Sequence, residues 1–89
     1  MIGKLTIQWS AKSIKDMRRL SLHDRERVIA KIEQYVGDPE LLANQAITLT
    51  GSRYKRLRAG NHRVIFDVKW GKAAIMLVLR VRHRREAYD

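Results

Sequence analysis

Six arginines stand in three short alternating stretches toward the C-terminal end of this chain. They are Arg56 and Arg58 around Leu57, Arg63 at the head of Arg63–Asp67, and Arg80, Arg82 and Arg84 within Ile75–Arg84. Successive side chains of a strand point to opposite faces. Leu57 therefore opposes Arg56 and Arg58, and Val64, Phe66 and Val68 oppose Arg63 and Ile65. In the last stretch Ile75, Leu77, Leu79 and Val81 oppose Arg80, Arg82 and Arg84. Three neighbouring strands of this kind predict a half-buried sheet whose open face carries all six guanidiniums. Such charges repel one another in water and suit a polyanion, above all a phosphate backbone, because the guanidinium fork matches phosphate bidentately. The chemistry on offer is electrostatic: holding a phosphodiester and offsetting charge that develops on it.

The charge balance points to the same segment. The first fifty residues hold 8 Lys and Arg against 6 Asp and Glu, and Gly51 to Asp89 hold 11 against 3, so +8 of the net +10 lies with the predicted strands. His62 and His83 are of the residue type that most often moves protons near neutral pH, but alternation puts both on the apolar side. Lys55 also points toward that side. Arg18, Arg19, Arg25 and Arg27 read as solvated helix faces.

Eighty-nine residues predict one small domain, residues 1–89, with one modest core. The chain has no Cys, which excludes disulfides and thiolate metal sites. Its three His residues are scattered, so neither a metal nor a cofactor is expected. No apolar run approaches the ~20 residues of a membrane span, and Met1–Lys4 has no signal-peptide h-region. The expectation is a cytoplasmic protein without a membrane partner.

The positioning elements follow from periodicity. Lys4 to Trp9 alternates as a strand, with Leu5, Ile7 and Trp9 on one face. Ser10 is an N-cap candidate before a short helix bearing Ile14, Met17 and Leu20. Ser21 is a second, with Asp24 in the first turn. Val28, Ile29, Ile32, Tyr35 and Val36 then mark one face of a longer helix that Gly37 is expected to stop. Asp38–Pro39 predicts a further helical turn, and the chain extends near Ile47–Leu49. Ala59–Gly60–Asn61 and Lys69–Lys72 read as hairpin turns. The expected fold is α+β: a strand, a two-helix hairpin, then a three-stranded antiparallel meander, with helices on one sheet face and arginines on the other.

Two motifs carry a family resemblance. Tyr54 to Phe66 resembles the central motif of the RelE/ParE superfamily of bacterial toxins, and Val81 to Tyr88 resembles its C-terminal motif, in which a Tyr follows four residues after an Arg. Length and element order fit as well, and the Arg-rich tail ending in Tyr88 is more similar to the RelE branch. That resemblance implies a toxin with a cognate antitoxin partner. In the RelE branch it implies metal-independent cleavage of mRNA in the ribosomal A site, with the RNA's own 2′-OH attacking the adjacent phosphate. In the ParE branch it implies inhibition of DNA gyrase. A non-catalytic nucleic-acid-binding relative is a third possibility. By residue, the resemblance assigns Arg56 to a basic position on the second strand and Arg63 to the scissile phosphate. It assigns Arg84 to the transition state or leaving group, and Tyr88 to base stacking or proton transfer. Arg58, Arg80, Arg82 and His83 are RNA-binding candidates beside them. One departure matters: the best-known relative has lysines where this strand has Tyr54 and Arg56, and an arginine does not shuttle protons near neutral pH.

Overall fold

The computed structural model describes residues 5–40, 42–49 and 51–85. Strand β1 (Thr6–Trp9) leads into helix α1 (Ala11–Arg18) and helix α2 (Leu22–Gly37). A 3-10 turn (Ala43–Gln45) and the short strand β2 (Ala46–Thr48) follow, and then β3 (Lys55–Ala59), β4 (His62–Lys69) and β5 (Ile75–His83). The five strands form one mixed sheet in the order β1-β5-β4-β3-β2. The β2 to β5 neighbours are antiparallel, and β1 joins β5 in parallel. The expected meander is present, extended by an edge strand on either side.

Both expected N-caps form: Ser10 accepts from the Ser13 N–H at 3.0 Å and Ser21 from the Asp24 N–H at 3.1 Å. The buried stripe of α2 is Val28, Ile32 and Tyr35, spaced to share one helix face, and Ile29 is exposed. Tyr35 meets Phe66 of β4 edge-on, with ring centroids 5.1 Å apart. Leu57, Val64, Phe66, Met76, Val78 and Val81 complete the core on the helix side of the sheet. Gly37 is the last residue of α2, not a left-handed stop beyond it, and Asp38 is the C-cap. The short helical turn forms at Ala43–Gln45, later than Asp38–Pro39. Arg25 is not simply solvated: its guanidinium donates to the Met17 and Leu20 carbonyls, closing the C-terminal end of α1 where cations are favoured.

The main correction concerns β5. Ile65 pairs with Arg80 but Phe66 pairs with Val78, so Leu79 is an extra residue, a β-bulge. A one-residue shift exchanges the faces of a strand. Before the bulge Met76 and Val78 are buried against the helices, while Ile75 and Leu77 lie opposite Lys69 and Asp67 on the arginine face. Only after it does Val81 point to the core, as the alternation predicts. The bulge disturbs the ladder, and α1 supplies partners. Ser10 donates its hydroxyl to the Leu79 carbonyl at 2.8 Å and its N–H to the Val78 carbonyl at 2.9 Å. Asp16 accepts the Val81 N–H at 2.9 Å. The buried stripe of α1 is consequently Ser13, Asp16 and Met17, and Ile14 stays exposed.

Candidate nucleic-acid interface

Pairing places Arg56 opposite Ile65, Arg58 opposite Arg63, and Arg63 opposite Arg82, all on the face away from the core. β2 pairs only with Lys55–Leu57, so the Arg58–Ala59 end of β3 is uncovered on that side. A cleft of about 490 Å³ opens there, lined by Arg56, Arg58, Arg63, Gly60, Ile47, Asn44, Gln45 and Lys31. Lys31 reaches it from α2, where its ammonium donates to Gln45 Oε1 at 3.0 Å. Lys31, Asn44 and Gln45 were not singled out by the sequence pattern.

Local structure aims these groups. The two-residue turn Gly60–Asn61 has positive φ at the first position only, +62° at Gly60, as a type II′ hairpin requires. A Cβ there would also sit 3.3 Å from the Arg27 guanidinium, which lies over the turn. Arg63 donates from one guanidinium nitrogen to the His62 carbonyl at 3.2 Å and the Gly60 carbonyl at 3.4 Å, so the turn itself holds it. The Arg84 N–H donates to the Asn61 carbonyl at 2.7 Å and ties the end of β5 to the same turn. Burial first, and then the charges of Arg58, Arg56 and Arg84, pull the Arg63 guanidinium below its ordinary value. Arginine stays charged at neutral pH, and an anion beside Arg63 would relieve its repulsion with Arg58, Arg56 and Arg84.

The six-arginine face is therefore divided. Arg56, Arg58 and Arg63 share the cleft, with Arg84 close enough for Arg63 to feel its charge. Arg80 is drawn to α1 instead, where Nε and a terminal nitrogen meet the Asp16 carboxylate at 2.8 and 3.2 Å. It lines a separate cleft of about 230 Å³ with Asp16, Arg19, His62, Arg82 and His83. Burial alone would raise the Asp16 pKa. The hydrogen bonds from Arg80 and the Val81 N–H, with the charges of Arg80 and Arg82, outweigh burial and hold the carboxyl below its usual value. His62 is buried and His83 packs edge-on against it, with centroids 5.3 Å apart, on the helix side. Of the RNA-binding candidates, Arg58 alone lines the arginine cleft. Arg80, Arg82 and His83 lie along the α1 edge. Tyr88 falls outside the described residues. Among the described residues no three His, Asp or Glu side chains converge as a metal site, and no helix is long and apolar enough to cross a membrane.

Comparison with known proteins agrees with this architecture. The model of the family described as ParE toxin of type II toxin-antitoxin system, parDE, matches residues 7–88. No curated protein sequence matches the chain. Among solved structures, the RelE of the archaeal RelE–RelB complex from Pyrococcus horikoshii superposes with a TM-score of 0.75 at 22% identity, covering 94% of this chain and 99% of that one. The YoeB/ParE toxin from Agrobacterium tumefaciens gives 0.70 at 20% identity, covering 89% and 98%. The intact RelBE toxin–antitoxin complex of E. coli gives 0.69 at 20%, covering 98% and 100%. These likenesses support the fold: two helices and a five-stranded mixed sheet. With a family model spanning nearly its whole length, the chain belongs to the ParE toxin family of type II toxin–antitoxin systems, within the RelE/ParE superfamily.

Proposed function

We propose that this toxin is a ribosome-dependent endoribonuclease that cleaves mRNA and so stops translation in the cytoplasm. The observation that carries the reading is the cleft at the uncovered end of β3, where Arg56, Arg58, Arg63 and Lys31 converge with Arg84 nearby. Its crowded positive charge suits a phosphodiester with its flanking phosphates. In the reaction a ribose 2′-oxygen bonds to the adjacent phosphorus and the bond to the 5′-oxygen breaks. The products are a 2′,3′-cyclic phosphate and a 5′-hydroxyl. The 2′-OH proton must leave and the 5′-oxygen must gain one.

Arg63, fixed to the turn carbonyls, is preorganised to hold the scissile phosphate, and Arg84 supplies a second fixed charge as negative charge grows. Arg56 and Arg58 bind flanking phosphates. Guanidiniums do not move protons near neutrality, so that work falls to Tyr88 and to Lys31, whose ammonium can release a proton to the leaving oxygen. Arg80, Arg82 and His83 take a lesser part, as contacts to RNA along the α1 edge.

The partner that restrains it is a protein antitoxin. The structural neighbours from Pyrococcus and E. coli were solved as such complexes. On this chain an apolar groove between α1 and α2, about 350 Å³ and lined by Trp9, Ile14, Met17 and Ile29 with Arg18 and Arg25 at its rim, suits an acidic amphipathic segment. The test of the activity is primer extension on mRNA, with and without programmed ribosomes, beside a gyrase supercoiling assay. Cleavage that requires ribosomes is expected. An intact message together with gyrase trapped on DNA would move the chain to the gyrase-directed reading.

A further inference from the structure

The arginine face does not end at Arg56. Tyr54 is two residues further along the same side of the chain, so Arg58, Arg56 and Tyr54 form a row of roughly 13 Å at about 3.3 Å per residue. Tyr54 is 38% exposed. The Arg53 guanidinium lies 5.8 Å from its ring centroid and also forms an ion pair with Asp67 at 2.8 Å. Asp67 is the one carboxylate on β3, β4 and β5. Its charge is therefore answered before it can repel an approaching polyanion. Arg53 then lines a cleft of about 540 Å³ with Asp67, Val68, Lys69 and Trp70. Trp70 is 66% exposed, and the core does not explain it.

An exposed Trp and Tyr interleaved with Arg and Lys, in line with a phosphate-binding cleft, have a specific physical use. Aromatic faces stack unpaired bases while the cations track the backbone. Paired bases are already stacked and cannot use such a platform. We infer that Tyr54 and Trp70, with Arg53 and Lys69, form a base-stacking site for the nucleotides flanking the segment held in the arginine cleft, so that the ligand is an extended single strand of RNA. The inference rests on the nucleic-acid reading of that cleft. It makes Tyr54 and Trp70 positioning residues for the strand, outside the reacting centre.

The experiment is fluorescence anisotropy of labelled single-stranded RNA in two lengths, one filling only the arginine cleft and one long enough to reach Trp70. The proteins are the parent, Trp70→Ala, Trp70→Phe, Tyr54→Ala, Arg63→Ala and Leu22→Ala, the last removing an exposed apolar side chain from α2. Thermal melts accompany each. Trp70→Ala and Tyr54→Ala should weaken the long RNA by about 5- to 150-fold, the range for loss of one stacked base. Their effect on the short RNA should be small, and the slope against salt should not change, because no phosphate contact is lost. Trp70→Phe should retain most of the affinity, and Leu22→Ala all of it. Parent-like binding of the long RNA by both aromatic variants would overturn the stacking site, as would an equal loss on both lengths or tighter binding of duplex than of single strand. In each case a loss in Arg63→Ala would leave the arginine cleft standing. If Arg63→Ala also binds as the parent does, the nucleic-acid reading of the cleft fails with it.

Discussion

Replacing Asp16 by Ala tests how α1 holds the sheet in place. One carboxylate accepts a backbone N–H at the β5 bulge and a bidentate pair from Arg80. Alanine removes both. The Val81 N–H is buried, and leaving such a donor without a partner costs about 1–3 kcal/mol. The Arg80 side chain is 34% exposed. Its guanidinium can turn to water, so the lost charge pair adds at most about 1 kcal/mol. The expected total is about 3 kcal/mol, which for a chain of this size lowers the melting temperature by about 12–24 °C. Asp16→Asn keeps an oxygen for the Val81 N–H but loses the charge and sets an amide donor where Oδ1 accepts from Arg80. That partly exposed guanidinium can turn to water, so about 1 kcal/mol and 4–8 °C are expected. The pH dependence carries its own sign. Because the folded carboxyl is held below its usual value, its contribution is fully present above the unfolded value of about 3.9 and is lost as pH falls through the folded one. The gap between parent and Asp16→Asn should stay constant from neutrality to about pH 4 and then close. Melts followed by circular dichroism across that range decide the matter. If Asp16→Asn costs as much as Asp16→Ala, or if Asp16→Ala melts within about 4 °C of the parent, the carboxylate does not anchor the bulge as argued.

Three further outcomes concern the cleft. Five cations (Arg56, Arg58, Arg63, Arg84 and Lys31) on single-stranded RNA predict a slope of log affinity against log salt near about −3.5, and Arg63→Ala should reduce it to about −2.8. Between 50 and 200 mM salt the parent would then lose about 130-fold and the variant about 50-fold, measurable by anisotropy titration. Arg84→Ala should melt as the parent does and lose about 10²–10³ in single-turnover mRNA cleavage on ribosomes, whereas Tyr88→Phe separates stacking, with near-parent rates, from proton transfer, with a large loss. Lys31→Arg should hold RNA as tightly as the parent yet cleave more slowly, and equal cleavage rates would remove Lys31 from the proton transfers.

The sequence disclosed the elements better than it disclosed the site. Both N-caps, the α2 core face and the β3–β4 hairpin follow from local chemistry: a short polar side chain before a periodic run, and a glycine where φ must be positive. The β5 error has an equally local origin. Every residue from Ala73 to Leu79 is apolar, so period-two alternation says nothing there about which side faces the helices. Reading backward from Val81 carries the correct face across Leu79 into the wrong one. The groups that support the bulge, Ser10 and Asp16, lie more than sixty residues earlier, where they look like a helix cap and a solvated acid. Lys31 is a similar case. On α2 it has the periodicity of a surface residue, and only the shortness of β2 lets it meet Arg56 and Arg58.

The bulge and the Gly60–Asn61 turn together arrange the arginines around the cleft. Without the bulge, the register that buries Met76 and Val78 would turn Arg80, Arg82 and Arg84 toward the helices; the extra residue returns them to the face that carries Arg63. With it, Arg80 is turned to Asp16, and the strand's end is tied back to the Gly60–Asn61 turn through the Arg84 N–H. The neighbouring carbonyls of Gly60 and His62 hold the Arg63 guanidinium. A single tight turn thus holds the Arg63 guanidinium and anchors the backbone from which Arg84 projects, and α1 supports the strand that carries Arg84. Preorganised charge of this kind lowers a barrier because it need not rearrange when the phosphorane forms. Burial of the Arg63 guanidinium, and then repulsion from Arg58, Arg56 and Arg84, are the cost of that arrangement in the free protein. A bound phosphate offsets it at the position where the reaction would occur.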